Sequence, residues 1–154
     1  WEQSREQRRY GRFVRKLVTP GASAFLAGMK PEKRRELMYY DELHDDGALR
    51  PEDQAFYDAA FDDRADVWGP LRYYEVLARE RRTLAERFER AGPVKVRTLV
   101  LWGAHDHYML PPLAALSCEQ VAAECEHHVL EDAGHYLQWE QPDAIVAAWR
   151  KFAG

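Results

Sequence analysis

Two residues that could carry out acid–base chemistry each follow a short apolar segment in the second half of the chain. Asp106 comes after the segment 96–102, and His135 comes after the segment 127–130. A carboxylate can orient an imidazole and stabilise its cation, and the imidazole can then accept a proton from a nucleophile or from water. The residue types therefore predict an acid–base pair, provided that the fold brings the two side chains together.

The segments around these residues predict strands and helices in alternation. The run 96–102 is almost continuously apolar, is rich in residues that favour strands and ends at Gly103, which is typical of a strand buried on both faces of a parallel sheet. A helix over 111–124, a second strand over 127–130 and a helix over 141–152 complete a βαβ pattern. Loops at the carboxyl ends of neighbouring parallel strands share one edge, so Asp106 and His135 are expected to be neighbours. Two parallel strands need further neighbours, so this sheet is predicted to be incomplete.

The residues before Gly92-Pro93 have a different, helical pattern. Apolar residues at helical spacing predict helices over 3–18, 31–40, from Pro51 onward and over 71–90. The expected apolar faces of the last two helices consist of Phe56, Tyr57, Ala60 and Phe61, and of Tyr74, Leu77, Leu84 and Phe88. The chain is therefore predicted to divide into a helical region, 1–91, and an α/β region, 92–154.

Charge and cysteine content limit the classes of function and location. The net charge is −4 and the pI is about 5.9, which argues against a general nucleic-acid binder. The basic residues of 5–16 are expected to form a solvated helix face. No apolar run is long enough to cross a bilayer and no signal peptide is visible, so a cytoplasmic location is expected. Cys118 and Cys125 are predicted to lie on one helix, roughly 10 Å apart and too far for a disulfide, in a reducing compartment.

Two segments at the C-terminal end resemble a known family. The segments VKVRTLVLWGAHDHYM and VLEDAGHYLQWEQPDAI closely resemble the last two catalytic loops of α/β-hydrolases of the epoxide hydrolase and dehalogenase branch. Members have a hydrophobic strand followed by G-x-x-D, and then a G-H-aromatic segment followed by E-x-P. The resemblance covers roughly 93–153 and implies that Asp106 is the acid and His135 the general base. It also implies an α/β-hydrolase fold with a helical cap over 1–91, no metal or organic cofactor, and a small hydrophobic substrate (an epoxide, a halide or an ester).

A second resemblance concerns the helical region. The run PEDQAFYDAAF followed by WGPLRYYEVL is similar to the late cap of epoxide hydrolases, where a tyrosine donates a hydrogen bond to the epoxide oxygen. This tyrosine falls on Tyr74, with Tyr73 beside it. A phenol can stabilise the alkoxide that forms when the ring opens; alternatively, Tyr74 is a core aromatic residue of a cap helix. The second cap tyrosine of the family aligns near Phe13, with Tyr10 one turn earlier. Either Tyr10 substitutes, the alignment shifts, or the substrate is not an epoxide.

The nucleophile of such a hydrolase is missing from the chain. No G-x-S-x-G or G-x-D-x-G segment occurs, and Ser4, Ser23 and Ser117 lie outside any such context. The nucleophile and the oxyanion-hole loop are expected in an N-terminal half of the core, without which this chain is expected to be inactive. The alternatives are a haloalkane or haloacetate dehalogenase, a carboxylesterase, or, in a different class, a non-catalytic helical interaction module or a degenerate remnant.

The remaining polar residues predict no further site. His105, His107, His127 and His128 have no spacing typical of paired metal ligands and are interpreted as surface or loop residues. Asp132 is a competing acid, but it shares a loop with His135, so a turn role is expected.

Overall fold

The computed structural model of the protein describes residues 17–19, 21–38, 48–62 and 68–154. The chain forms two compact units, and among the described residues the division between them falls between Leu49 and Arg50 and again between Gly92 and Pro93. The first unit contains helices from the described parts of 11–41 and 50–92, whereas the second includes 93–154 and both strands. The predicted helix over 3–18 lies outside the described residues, apart from its C-terminal end.

The first unit contains four helices among the described residues. They are α1 (Ala22–Ala27), α2 (Pro31–Met38), α3 (Pro51–Asp62) and α4 (Trp68–Ala91). Proline begins both α2 and α3, because its fixed φ and its missing N–H group suit the first turn of a helix. Helix α1 contacts α4, and α2 contacts α3. Arg35 and Asp58 join the second pair through an ion pair of 3.2 Å.

The predicted apolar faces of α3 and α4 are only partly buried. Tyr74, Leu77 and Leu84 are partly buried, as the helical spacing predicts. The prediction was wrong for Ala60, which is exposed, and for Phe56 and Phe88, which are 71% and 74% exposed. Among the described residues, the contacts of α1 with α4 and of α2 with α3 cover only part of these faces, so both phenyl rings remain in solvent.

The second unit contains a parallel βαβ arrangement followed by two helices. Its elements are β1 (Thr98–Gly103), α5 (Leu113–Cys118), β2 (Cys125–Leu130), α6 (Leu137–Glu140) and α7 (Pro142–Ala153). The strands pair in parallel with a register from Thr98↔Cys125 to Gly103↔Leu130, which confirms the α/β class. Helix α5 contacts both strands and α7 contacts β1. The prediction that β1 is buried on both faces was wrong. This two-stranded sheet leaves all of the strand except Gly103 partly exposed.

Cys118 and Cys125 form a disulfide bond, so the prediction that they are too far apart was wrong. The predicted helix over 111–124 is shorter in the structure and ends at Cys118. The chain then turns, Val121 pairs with Val94 in an isolated parallel bridge, and β2 begins at Cys125. The two Cα atoms are therefore 5.5 Å apart instead of two helical turns apart. Because disulfides persist mainly in oxidising compartments, the cysteines no longer support the expected cytoplasmic location.

We expect reduction of this disulfide to lower the free energy of unfolding by about 2–3 kcal/mol, since the bond closes a short loop and restricts the unfolded chain. Denaturant unfolding with and without a reductant measures the difference. The double variant Cys118→Ser/Cys125→Ser is the control, because its midpoint should not respond to the reductant. Two reactive thiols in the unfolded, unreduced protein would contradict the pairing.

Candidate active site

Asp106 lies in the loop after β1, and the backbone of that loop holds its carboxylate. Oδ1 of Asp106 accepts hydrogen bonds from the backbone N–H groups of Tyr108 at 2.9 Å and Met109 at 2.8 Å. Aspartate side chains commonly close turns by accepting from amides a few residues further along. Only 6% of Asp106 is exposed. The carboxylate therefore has one fixed position.

Trp102, on β1, closes the same loop from its other end. Its indole Nε1–H donates a hydrogen bond of 2.6 Å to the carbonyl oxygen of Met109. The backbone of Met109 is thus held at its N–H by Asp106 and at its carbonyl by Trp102. Since a buried indole N–H needs an acceptor, this bond also satisfies the polar atom of a partly buried side chain.

The imidazole of His135 meets the second oxygen of the Asp106 carboxylate. The distance from His135 Nδ1 to Asp106 Oδ2 is 2.9 Å. An ionised carboxylate only accepts hydrogen bonds, so Nδ1 donates and Nε2 is the acceptor nitrogen of the neutral ring. The side chain of His135 is 31% exposed, in contrast to that of Asp106. The arrangement gives an oriented imidazole whose Nε2 can take a proton from water or from a hydroxyl group.

The register of the two strands brings the two loops together. The strand pairing ends at Gly103↔Leu130 and continues as two hydrogen bonds between the loops. Ala104 N–H donates to the Leu130 carbonyl at 2.9 Å, and His105 N–H donates to the Ala133 carbonyl at 2.9 Å. Both catalytic candidates follow these contacts within two residues. Their separation is therefore set by backbone hydrogen bonds.

Gly103 permits this close approach of the two loops. A Cβ atom at Gly103 would lie 2.5 Å from the carbonyl oxygen of Ala133 and closer still to that of Gly134. Both obstacles are backbone atoms, which cannot swing aside as a flexible side chain would. A residue without Cβ is consequently required where β1 ends.

We predict that Gly103→Ala lowers the free energy of unfolding by roughly 1–3 kcal/mol, because the two loops must separate to admit the methyl group. Denaturant unfolding measures the effect. Gly154→Ala is a matched control, since its Cβ would lie no closer than 3.4 Å to the Arg150 carbonyl oxygen. Unchanged stability of the Gly103 variant would show that the loops can shift at little cost.

The rings of Tyr108 and Tyr136 lie beside the imidazole of His135. The ring centroid of Tyr108 is 5.5 Å from that of His135, and the centroid of Tyr136 is 5.2 Å from it on an edge-to-face contact. Tyr136 in turn stacks on Trp139 at 4.7 Å. Such ring pairs stabilise the folded state by more than their buried area accounts for, and they restrict rotation of the imidazole. Tyr108 thus contacts the pair twice, through its backbone N–H to Asp106 and through its ring to His135.

Tyr74, the third residue predicted to act in catalysis, belongs to the helical unit. It lies on α4, is partly buried, and packs edge-to-face against Tyr73 with centroids 5.5 Å apart. Its predicted role toward the substrate stays a prediction. Tyr10 and Phe13, the candidates for a second cap position, lie outside the described residues.

The other residues that the sequence analysis considered in this unit, four histidines and Asp132, are exposed. His105, His107, His127 and His128 are all exposed, and His128 Nε2 lies 3.7 Å from a carboxylate oxygen of Glu126. Within 17–19, 21–38, 48–62 and 68–154, no group of three or more His, Cys, Asp or Glu residues could hold a metal ion. Asp132 is exposed in the turn after β2. In the same described ranges, no helix has the length and apolar character needed to cross a membrane.

Sequence reasoning missed three residues that hold the pair in place: Trp102, Tyr108 and Glu140. Glu140 Oε2 accepts a hydrogen bond of 2.8 Å from the N–H of Gly134, the residue before His135. A signal for Glu140 was present, because it is the glutamate of the E-x-P segment that follows the G-H-aromatic segment. Trp102 and Tyr108 gave no such signal, since aromatic residues in and after a strand more often form core contacts.

A sequence profile described as the alpha/beta hydrolase family matches residues 4–148, which is nearly the whole chain. The protein therefore belongs to the alpha/beta hydrolase family. Its fold agrees with that assignment. Cfl2 from Burkholderia cenocepacia has a TM-score of 0.74 and 20% identity, over 92% of this chain and 46% of that protein. A point mutant of an epoxide hydrolase from Bacillus megaterium, in complex with its product, has a TM-score of 0.70 and 16% identity, over 99% of this chain and 54% of that one.

A curated relative matches over a shorter stretch at higher identity. The 2-hydroxy-6-oxononadienedioate/2-hydroxy-6-oxononatrienedioate hydrolase of Escherichia coli is 38% identical over 56 residues, which are 36% of this chain and 19% of the relative. The chain thus spans about half the length of the solved structures that it matches, and the aligned stretch covers about a fifth of this relative.

Proposed function

We propose that Asp106 and His135 form the acid–base pair of an epoxide hydrolase-like enzyme that acts through a covalent intermediate. The observation that carries the proposal is the distance of 2.9 Å between His135 Nδ1 and Asp106 Oδ2, at the shared edge of two parallel strands. This hydrogen bond fixes the tautomer in which Nε2 accepts a proton, as a general base requires. The nucleophile comes from residues outside this chain, so the chain alone does not turn over substrate.

For an epoxide, the reaction proceeds in two steps. A carboxylate nucleophile attacks a ring carbon, the C–O bond breaks, and the resulting alkoxide takes a proton from the phenol of Tyr74. His135 Nε2 then removes a proton from water, and the hydroxide adds to the carbonyl carbon of the ester. The ester breaks into the diol and the free nucleophile carboxylate. The imidazolium then gives up one proton and the phenolate regains one, so that one water is consumed for each epoxide.

The domain assignment belongs to the same proposal. We assign residues 1–91 to a helical cap and residues 92–154 to the C-terminal part of the hydrolase core. The likeness to the Bacillus megaterium epoxide hydrolase supports an epoxide or another small hydrophobic substrate, in agreement with the resemblance of the Tyr74 segment to late cap sequences. The N-terminal half of the core, with the nucleophile and the oxyanion hole, is the proposed partner.

A second candidate follows from the curated relative. That protein is named a hydrolase of 2-hydroxy-6-oxononadienedioate, and the 38% identity over 56 residues favours a related substrate for this chain. An enzyme of that kind would need the same Asp106–His135 pair but no phenol for an epoxide oxygen. The two candidates therefore differ in the role of Tyr74. The resemblance of the C-terminal segments extends to dehalogenases, but no contact among the described residues favours a dehalogenase, an esterase or a non-catalytic remnant.

The experiment that tests the proposal combines variants of the pair with a search for the covalent intermediate. It uses the complete protein, a panel of epoxides and 2-hydroxy-6-oxo acids, and mass spectrometry of the protein during turnover. Loss of turnover in both the Asp106 and the His135 variants supports the proposed pair. Full activity of either variant would contradict it.

A further inference from the structure

Glu140 is tied to the loop that carries His135, although its own position is on the next helix, α6. Its Oε2 atom accepts a hydrogen bond of 2.8 Å from the backbone N–H of Gly134. Gly134 is buried and immediately precedes His135. Because a hydrogen bond from an amide to a carboxylate is stronger than one between neutral groups, this contact restrains the backbone directly before the imidazole.

The backbone after His135 is held by the same helix. Tyr136 presents its carbonyl oxygen to the N–H groups of Trp139 at 2.8 Å and Glu140 at 3.2 Å. His135 therefore lies between Gly134, whose N–H donates to the Glu140 carboxylate, and Tyr136, whose carbonyl accepts from the first turn of α6. Two residues before His135, the carbonyl of Ala133 accepts from His105 N–H at 2.9 Å. The segment 133–136 is fixed on both sides of the imidazole.

The second carboxylate oxygen of Glu140 lowers the stability of the folded chain. Oε1 is buried and has no hydrogen-bond partner among the residues that the structure describes. A buried carboxylate oxygen without a partner lowers stability, and an apolar side chain at the same position would avoid this penalty. Such a side chain would in turn leave the buried N–H of Gly134 without an acceptor, so the contribution of this glutamate lies in the one hydrogen bond that restrains the loop before His135.

We propose that Glu140 is a positioning residue for His135: its carboxylate holds the N–H of Gly134 and thereby keeps the imidazole in line with Asp106. The inference rests on the proposed role of His135 as general base. It extends that proposal, because Glu140 does not touch the reacting atoms and instead aligns His135 with Asp106. Loss of the carboxylate should misalign the His135–Asp106 hydrogen bond while the fold remains.

The test compares Glu140→Ala with Glu140→Gln in the complete protein. Gln can still accept from Gly134 N–H through its amide oxygen, whereas Ala cannot. In the Ala variant we expect exchange of the Gly134 amide with solvent to be about 10- to 100-fold faster, the factor that corresponds to the loss of a charge-assisted hydrogen bond. The downfield NMR signal of the His135 Nδ1 proton should weaken, and kcat should fall roughly tenfold while KM stays the same. Gln should restore all three quantities.

The control is Glu131→Ala, since Glu131 is an exposed glutamate at the start of the same loop. This substitution should leave the exchange of the Gly134 amide, the NMR signal of the His135 Nδ1 proton and kcat unchanged. An unchanged Nδ1 signal and an unchanged kcat in Glu140→Ala would overturn the proposal, as would a loss of amide protection across the whole protein, which indicates a purely structural role. If Glu140→Ala weakens the Nδ1 signal while Asp106 variants keep full activity, the positioning is supported and the proposed reaction is wrong.

Discussion

Replacing Asp106 with Asn in the complete protein should lower kcat by about 10⁴-fold, the loss found when the acid that orients a catalytic histidine is changed to its amide. The structure gives the reason. Oδ1 of Asp106 accepts from two backbone N–H groups, so the oxygen of Asn must take that place. Its NH₂ group then faces His135 Nδ1, which must become an acceptor. The proton moves to Nε2, and Nε2 can no longer remove a proton from water.

Replacing His135 with Ala should lower kcat by about 10²–10⁴-fold and should also reveal the nucleophile. A carboxylate nucleophile needs no base, so it still attacks the substrate, and the covalent intermediate accumulates in a stoichiometric burst. A serine nucleophile needs His135 for its own activation, so no burst appears. Rapid-quench kinetics with mass spectrometry of the protein separates the two cases.

The matched control for these variants is Asp132→Asn, which changes an exposed acid on the His135 loop in the same way. It should retain full kcat, because the carboxylate that meets the imidazole is that of Asp106. Equal losses in the Asp106 and Asp132 variants would indicate a general electrostatic effect. Activity that survives in both the Asp106 and His135 variants would leave the non-catalytic alternative as the better account.

The contact between Asp106 and His135 could be predicted from the sequence because the positions of the two residues follow from simple rules. Two short β-forming segments with a helix between them imply parallel strands, and loops at the carboxyl ends of parallel strands meet at one edge. The register that places Gly103 opposite Leu130 then leaves Asp106 and His135 side by side. Each step depends on local pattern and topology, which a single sequence contains.

Contacts that depend on where a helix ends were not predictable in the same way. The helical spacing of Cys118 and Cys125 suggested a separation of two turns, but the helix ends at Cys118 and the chain reverses. Likewise, the hydrogen bond of Glu140 to Gly134 depends on the four-residue helix α6, which is too short to produce a periodic pattern. Helix ends are set by tertiary contacts as much as by local propensity, so the sequence leaves them open.

Tyr74→Phe separates the epoxide hydrolase proposal from its nearest rival. If the phenol donates to the epoxide oxygen, its loss should lower kcat for epoxides by about 10²–10³-fold, the effect of removing one donor to a developing oxyanion. The aromatic ring is kept, so the edge-to-face contact with Tyr73 and the partial burial of the residue should remain. Steady-state kinetics with epoxides, together with the thermal midpoint of the variant, measures both quantities.

Tyr73→Phe is the matched control, because Tyr73 is the adjacent residue on α4 and is 62% exposed. Loss of a solvated hydroxyl group should leave kcat unchanged, so a large effect at Tyr74 alone would reflect contact with the substrate oxygen. If Tyr74→Phe is silent while Asp106→Asn is inactive, the pair belongs to a hydrolase that needs no phenol. The curated relative's substrate, a 2-hydroxy-6-oxo acid, would then be the better candidate. A fall in the thermal midpoint that parallels the loss of kcat would instead assign Tyr74 to the core of the helical unit.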